Sequence, residues 1–185
     1  MNMEYSINRQ WSDQYLPAIR RIVGAHLLRA APDWLDMRHA TDLMMLDGRD
    51  IRVAARVRRP GYAARYPFDF TLRSQVASGA MTELEKVVNG EGDWLFYGHA
   101  CEDGVSLDLW WLIDLRVFRA ALIRHAMNGY PLRCGNKANT DGTWFKWFDI
   151  RSFPADPPLV IARGGRFVCR SEVYRRPTAE ALRPL

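Results

Sequence analysis

ATDLMMLDGRDIRVAARVRRPGYAARYPFDFTLRS, residues Ala40 to Ser74, is the stretch whose reading decides the fold. Asp42 to Leu46 reads as a short strand, and Asp47-Gly48 is a residue pair favoured by the type I′ turn of a two-residue hairpin. Ile51 to Arg58 is then the return strand. On it Ile51, Val53, Ala55 and Val57 face one way, and Arg52, Ala54, Arg56 and Arg58 the other, because side chains alternate along a strand. Pro60 and Gly61 end it. Beyond them Phe68, Phe70 and Leu72 alternate with Asp69, Thr71 and Arg73, the pattern of a half-buried strand with one polar face.

On the N-terminal side, Ser12 is an N-cap candidate, and Leu16, Ile19, Val23, Leu27 and Ala30 recur at three- and four-residue spacing. An amphipathic helix is expected over Ser12 to Ala31, with Pro17 in its opening turn and Pro32 stopping it. On the C-terminal side, Gly79 to Gly90 reads as a short helix with Glu83, Glu85 and Lys86 outward, and Asp93 to Ala100 as an aromatic strand. Val105 to Asp114 is a further alternating strand, and Arg116 to Asn128 a helix ending near Gly129. Gly135 to Gly142 reads as a loop and Thr143 to Phe153 as an aromatic strand. Leu159 to Arg163 and Phe167 to Arg170 are short final strands or edges, and the tail from Tyr174 is expected to fray. The result is one α/β domain over residues 1–185, helices and antiparallel hairpins around one mixed sheet. Residues 1–11 form a polar lead-in, 12–100 the core, 101–173 an elaboration and 174–185 the tail.

The chain carries a net charge of +5, and its cations are nearly all arginine: only Lys86, Lys137 and Lys146 are lysines. Arginine suits bidentate recognition of phosphate or carboxylate. A GC-rich genome would give the same bias without functional meaning. Clustering carries more information: Arg49, Arg52, Arg56, Arg58, Arg59 and Arg65 lie close together with only Asp50 among them. Cys101, Cys134 and Cys169 form no CxxC pair, and His26, His39, His99 and His125 show no ligand spacing. His99 and Cys101, two apart on a strand, are a weak zinc signal; two ordinary half-buried side chains are much the better explanation. No apolar run is long enough to span a bilayer, and Met1 to Trp11 lacks the apolar region of a signal peptide. A cytoplasmic protein without a membrane partner is expected.

The order helix, three strands, helix, strand, with an acid on one hairpin arm and cations ending a strand, resembles the PD-(D/E)XK (restriction-endonuclease-like) superfamily. The resemblance covers about Ser12 to Ala100, the nuclease-like core, and the whole has the look of a phage or prophage protein. It implies an αβββαβ core in which Asp42 stands for the family Asp, Ala54 falls at the Glu position and Arg56 at the Lys position. Two carboxylates normally hold Mg²⁺ there, and Ala54 supplies none; Arg56 cannot act as a base because its guanidinium stays protonated. The second acid could have migrated to the following helix as Glu83 or Glu85. Alternatively Asp50 is the first acid and Asp69 to Thr71 a degenerate second motif.

The resemblance therefore implies a metal-dependent DNA phosphodiesterase. Asp42 and Glu83 would hold Mg²⁺, Arg56 would stabilise the scissile phosphate with Asp69 in the catalytic set, and Arg52, Arg58, Arg59 and Arg73 would grip the backbone. The alternative is a non-catalytic accessory or anti-defence protein binding nucleic acid, or an acidic protein surface, through the same arginines. A third reading has the arginines merely solvated and the aromatic strands forming a homodimer contact. Each residue also has a structural reading: Asp42 as a strand-start or capping residue, Asp69 as a cross-strand ion pair with Arg56 or Arg73, and Glu83 and Glu85 as acids favoured in the first helical turns.

Overall fold

A computed structural model of the chain describes residues 7, 10–30, 43–45 and 51–165, with side chains of 28–30 and 43–45 left aside. Asp42, Arg49, Asp50, the Asp47-Gly48 turn, Cys169 and the final Phe167–Arg170 strand lie outside the described residues, as does the tail.

The elements in chain order are α1 (Leu16–Leu27), β1 (Leu28–Ala30), β2 (Leu43–Met45), β3 (Val53–Arg58), α2 (Tyr62–Arg65) and β4 (Asp69–Gln75). There follow α3 (Glu83–Val88), β5 (Trp94–Ala100), β6 (Leu107–Asp114), α4 (Leu115–Asn128), β7 (Cys134–Ala138), β8 (Trp144–Asp149) and β9 (Val160–Gly164). This is a mixed α/β architecture, but its strands do not form the expected single sheet. The central sheet has the order β3-β5-β6-β9, with β3 and β5 parallel and the other pairs antiparallel. A second, antiparallel sheet has the order β4-β8-β7, and β1 pairs with β2 alone. Among the described pairings β2 therefore meets β1, not β3.

The central sheet is covered on both faces. Every residue of β5 is buried, which is why WLFYGHA is aromatic and apolar without a polar alternate. On one face, Trp94, Phe96, Leu107 and Leu112 pack against Tyr15, Ile19 and Val23 from the N-terminal helical region, with Val53 and Val57 at the margin. On the other, Leu95, Tyr97, Trp111 and Ile113 join Phe70 and Leu72 of β4, Phe148 of β8 and Phe118 of α4. Phe70, Phe118 and Phe148 meet with centroids 5.0 to 5.5 Å apart, each such pair adding about 0.5–1.5 kcal/mol beyond its buried area.

Three local differences have simple causes. The first helix ends at Leu27, and Leu28–Ala30 leave it to pair with β2, although their apolar spacing still reads as helix. The segment read as a loop at Gly135–Gly142 is partly strand: β7 is a polar edge, closed onto β8 by Asn139 N–H donating to the Thr143 carbonyl at 2.8 Å. Gly135 is needed there because a Cβ would lie 2.8 Å from Nε1 of Trp147, its ladder partner. Lastly β4 leaves the β3 sheet altogether. Gly61, at φ 84, and the one-turn α2 reverse the chain after β3, and Phe70 and Leu72 then bury opposite Phe148 and Lys146. The helices α3 and α4 follow their caps. Thr82 and Glu85 make a reciprocal capping box for α3, and Asp114 caps α4, which Gly129 ends in the left-handed conformation.

Candidate functional site

The parallel register of β3 and β5 sets Arg56 beside Tyr97 and Arg58 beside His99, all on the face that looks toward β4. Ala54 shares that face. The arginines of β3 thus project from one edge of the central sheet toward the second sheet, and each meets a different environment.

Arg52 is neutralised at the surface. Its Nη1 donates to Glu91 at 2.9 Å, and its Nε lies 3.5 Å from Asp93. Arg56 pairs with Glu83, whose same Oε2 also accepts from the backbone N–H of Arg73 at 3.1 Å. Arg59 lies over the ring of Trp11, 4.7 Å from its centroid. Arg58 is the exception. Its Nη1 donates to the Tyr97 hydroxyl at 3.3 Å, and its guanidinium lies 4.1 Å over the Tyr62 ring and 5.8 Å from that of Phe145. No carboxylate among the described residues reaches ion-pair distance of this half-buried cation.

Around Arg58 the two sheets bring together a polar cluster. Tyr97 Oη lies 3.1 Å from Thr71 Oγ1, both buried. His99 is fully buried, and among the described residues neither its ring nitrogens nor Trp111 Nε1 has a hydrogen-bond partner. Burial first, and the Arg58 charge second, press the His99 pKa down to about 4 against the weaker pull of Asp108, so the ring is neutral.

The far wall is acidic. Asp69 does not form the expected ion pair with Arg56 or Arg73; its ladder partner is Asp149, like charge facing like. Asp149 is 1% exposed and accepts from Arg151 backbone N–H, Nε and Nη2 at 2.8 to 2.9 Å, with Arg133 at 3.2 Å. Burial would raise its pKa, but those hydrogen bonds and the two guanidinium charges outweigh it and hold the carboxyl below its usual range. Asp69 lacks such donors. Burial, and then Asp149, push its pKa up, against the charges of Arg151, Arg133 and Arg58.

Beyond Arg58 the aromatic residues reach solvent. Tyr62 and Tyr66, both 38% exposed, stack at 6.3 Å, and Lys137 lies 6.0 Å from the Tyr66 centroid.

Of the residues named from the sequence, Arg56, Arg58, Asp69 and Glu83 are half-buried, the Arg73 side chain is exposed with only its backbone N–H on Glu83, Arg52 and Arg59 are engaged elsewhere, and Asp42 lies outside the described residues. Among the described residues no group of three or more His, Cys, Asp or Glu is placed to hold a metal ion. Among the described residues, Glu83 faces the Arg56 guanidinium, while Asp42, its expected partner in holding Mg²⁺, lies outside them. Glu85, the other migrated-acid candidate, is spent on the capping box. Sequence reasoning missed Tyr62, Tyr66 and Asp149. The spacing of Tyr62 and Tyr66, four apart between Pro60 and Pro67, was the one signal that could have flagged an aromatic pair beside the arginines. No helix among the described residues is long and apolar enough to cross a membrane. Comparison with protein-family models, curated proteins and solved structures found no match.

Proposed function

We propose that the chain is a nucleic-acid-directed protein that seats a backbone phosphate on Arg58 and acts as a binder rather than as a magnesium-dependent nuclease. One observation carries this reading: a half-buried guanidinium held by a phenol and two aromatic rings, with no carboxylate among the described residues at ion-pair distance. A cation kept out of water without an acid is poised for an external anion, and a phosphate matches its planar fork. Arg73 and Lys137, exposed on β4 and β7, extend the positive rim along the same sheet.

The restriction-endonuclease-like core belongs to the same proposal. The chain order α1, β2, β3, β4, α3, β5, with β1 and α2 inserted, supports it; the pairing of β2 with β1 and the departure of β4 into a second sheet weigh against it. A phosphodiesterase is favoured by one feature, the raised proton affinity of Asp69 close to Arg151, Arg133 and Arg58, as suits a residue used in acid–base chemistry.

The test is fluorescence anisotropy of labelled DNA and RNA oligonucleotides across a salt series. Arg58→Ala should weaken binding and reduce the salt slope by about one, while Arg52→Ala leaves both near wild type. Equal binding by wild type and Arg58→Ala would refute the assignment. Metal-dependent cleavage abolished by Asp42→Ala, Glu83→Ala or Asp69→Asn would replace the binder with the enzyme.

A further inference from the structure

The aromatic pair next to Arg58 says what form of nucleic acid the surface fits. Arg58, Tyr62, Tyr66 and Lys137 form a continuous row of cation, ring, ring, cation. The steps along it are 4.1 Å from guanidinium to ring, 6.3 Å from ring to ring and 6.0 Å from ring to ammonium. Both tyrosines are more than a third exposed although each sits in a region rich in core-forming aromatics. Their place follows from the backbone: Tyr62 opens the single turn of α2 and Tyr66 is its C-cap, whose backbone N–H donates to the Tyr62 carbonyl at 2.9 Å. Only the small Ala63 between them is buried.

Duplex DNA offers a protein phosphates and groove edges, with its base faces closed by stacking. A single strand offers phosphates and open base faces together, and such strands are held by cationic grooves lined with aromatic rings. Flat rings flanked by cations therefore serve a purpose on a single strand that they lack on a duplex. An acidic protein surface would satisfy the cations but leave the tyrosine faces without a planar partner.

We infer that the Tyr62–Tyr66 pair is a base-stacking platform and that the ligand is single-stranded nucleic acid, its bases on the tyrosines and its flanking phosphates on Arg58 and Lys137. The inference rests on the phosphate-binding reading above, and the probes below separate the two.

The experiment measures binding of the full chain to four labelled probes at one low salt concentration. They are a single-stranded oligonucleotide, the same strand annealed to its complement, an abasic strand of equal length, and poly-glutamate. The expected result is tightest binding to the base-bearing single strand, with the abasic strand weaker by about tenfold or more. Tyr66→Ala should bring wild-type affinity for the base-bearing strand down toward that for the abasic one, and Tyr66→Phe should restore it. If abasic and base-bearing strands bind equally, or the duplex binds as tightly as the single strand, stacking is overturned while phosphate recognition stands. If poly-glutamate binds as well as any oligonucleotide, or no probe binds, both readings fall together.

Discussion

His99 should make the folded chain acid-labile in a window where most side chains are silent. Its ring is fully buried, both nitrogens lack a partner among the described residues, and its pKa falls from 6.5 to about 4. The folded chain thus binds this proton about 300-fold more weakly than the unfolded chain, and each tenfold is about 1.4 kcal/mol. Because the folded value is the lower one, the stabilising contribution is intact above the unfolded value. It is lost progressively as pH falls from 6.5 toward about 4. Taking both states' titration together, lowering the pH from about 7 to about 5 removes about 2 kcal/mol of stability through this one residue. The assay is urea unfolding at a series of pH values, for wild type and His99→Leu, which retains a similar volume but cannot titrate. The variant should be the more stable protein at neutral pH, since two buried polar atoms no longer go unsatisfied, by about 1 kcal/mol or more. Its stability should also fall less between the two pH values, by about 2 kcal/mol. Parallel pH profiles for the two proteins would refute the buried, neutral histidine.

Asp149→Ala removes a buried acid that both caps the Ile150–Ser152 turn and receives Arg151 and Arg133. A loss of about 2 kcal/mol, read as a melting temperature lower by about 4–8 °C, is expected. Two glycines should respond in opposite directions in the same unfolding assay. Gly135→Ala forces a Cβ to within 2.8 Å of the Trp147 indole and should cost about 1–3 kcal/mol. Gly24→Ala, inside α1 with nothing within 4 Å of the added atom, should gain about 0.5–1 kcal/mol.

What the sequence made legible is local and what it hid is pairing. The α3 helix could be read because Thr82 and Glu85 cap it and glycines flank it, and α4 because Gly129 stops it. The burial of β5 on both faces was written in WLFYGHA. The partnership of β4 with β8 was not, since the alternation of Phe70 and Leu72 specifies a buried face and says nothing of which distant strand covers it. β7 was hidden for a different reason: CGNKA has neither alternation nor β-branched residues, and its strand conformation comes from the ladder to β8. At the site, the alternation of β3 placed Arg56 and Arg58 on one face correctly. Which of them keeps its charge available depended on Glu83, twenty-seven residues away, and on α2, whose single turn has no periodic signal.

That sorting of charge is what gives the site its chemistry. Three arginines on one short stretch look equivalent as a count of positive residues, yet Arg52 is cancelled by Glu91 and Asp93, and Arg56 by Glu83. Arg58, the most enclosed by aromatic rings, is stabilised instead by its cation–π contacts with Tyr62 and Phe145, about 0.5–2 kcal/mol each depending on how far water is excluded. Those contacts hold the guanidinium in place without neutralising it, so its full charge acts on the neighbouring groups. The consequence is visible on both sides: Arg58 lowers the proton affinity of His99 and also that of Asp69. An anion seated on Arg58 would cancel this influence, raising the His99 pKa and softening the acid lability it imposes. By linkage, ligand binding and protonation of His99 then favour one another, so the same side chain that selects the ligand sets the pH dependence of the fold beneath it.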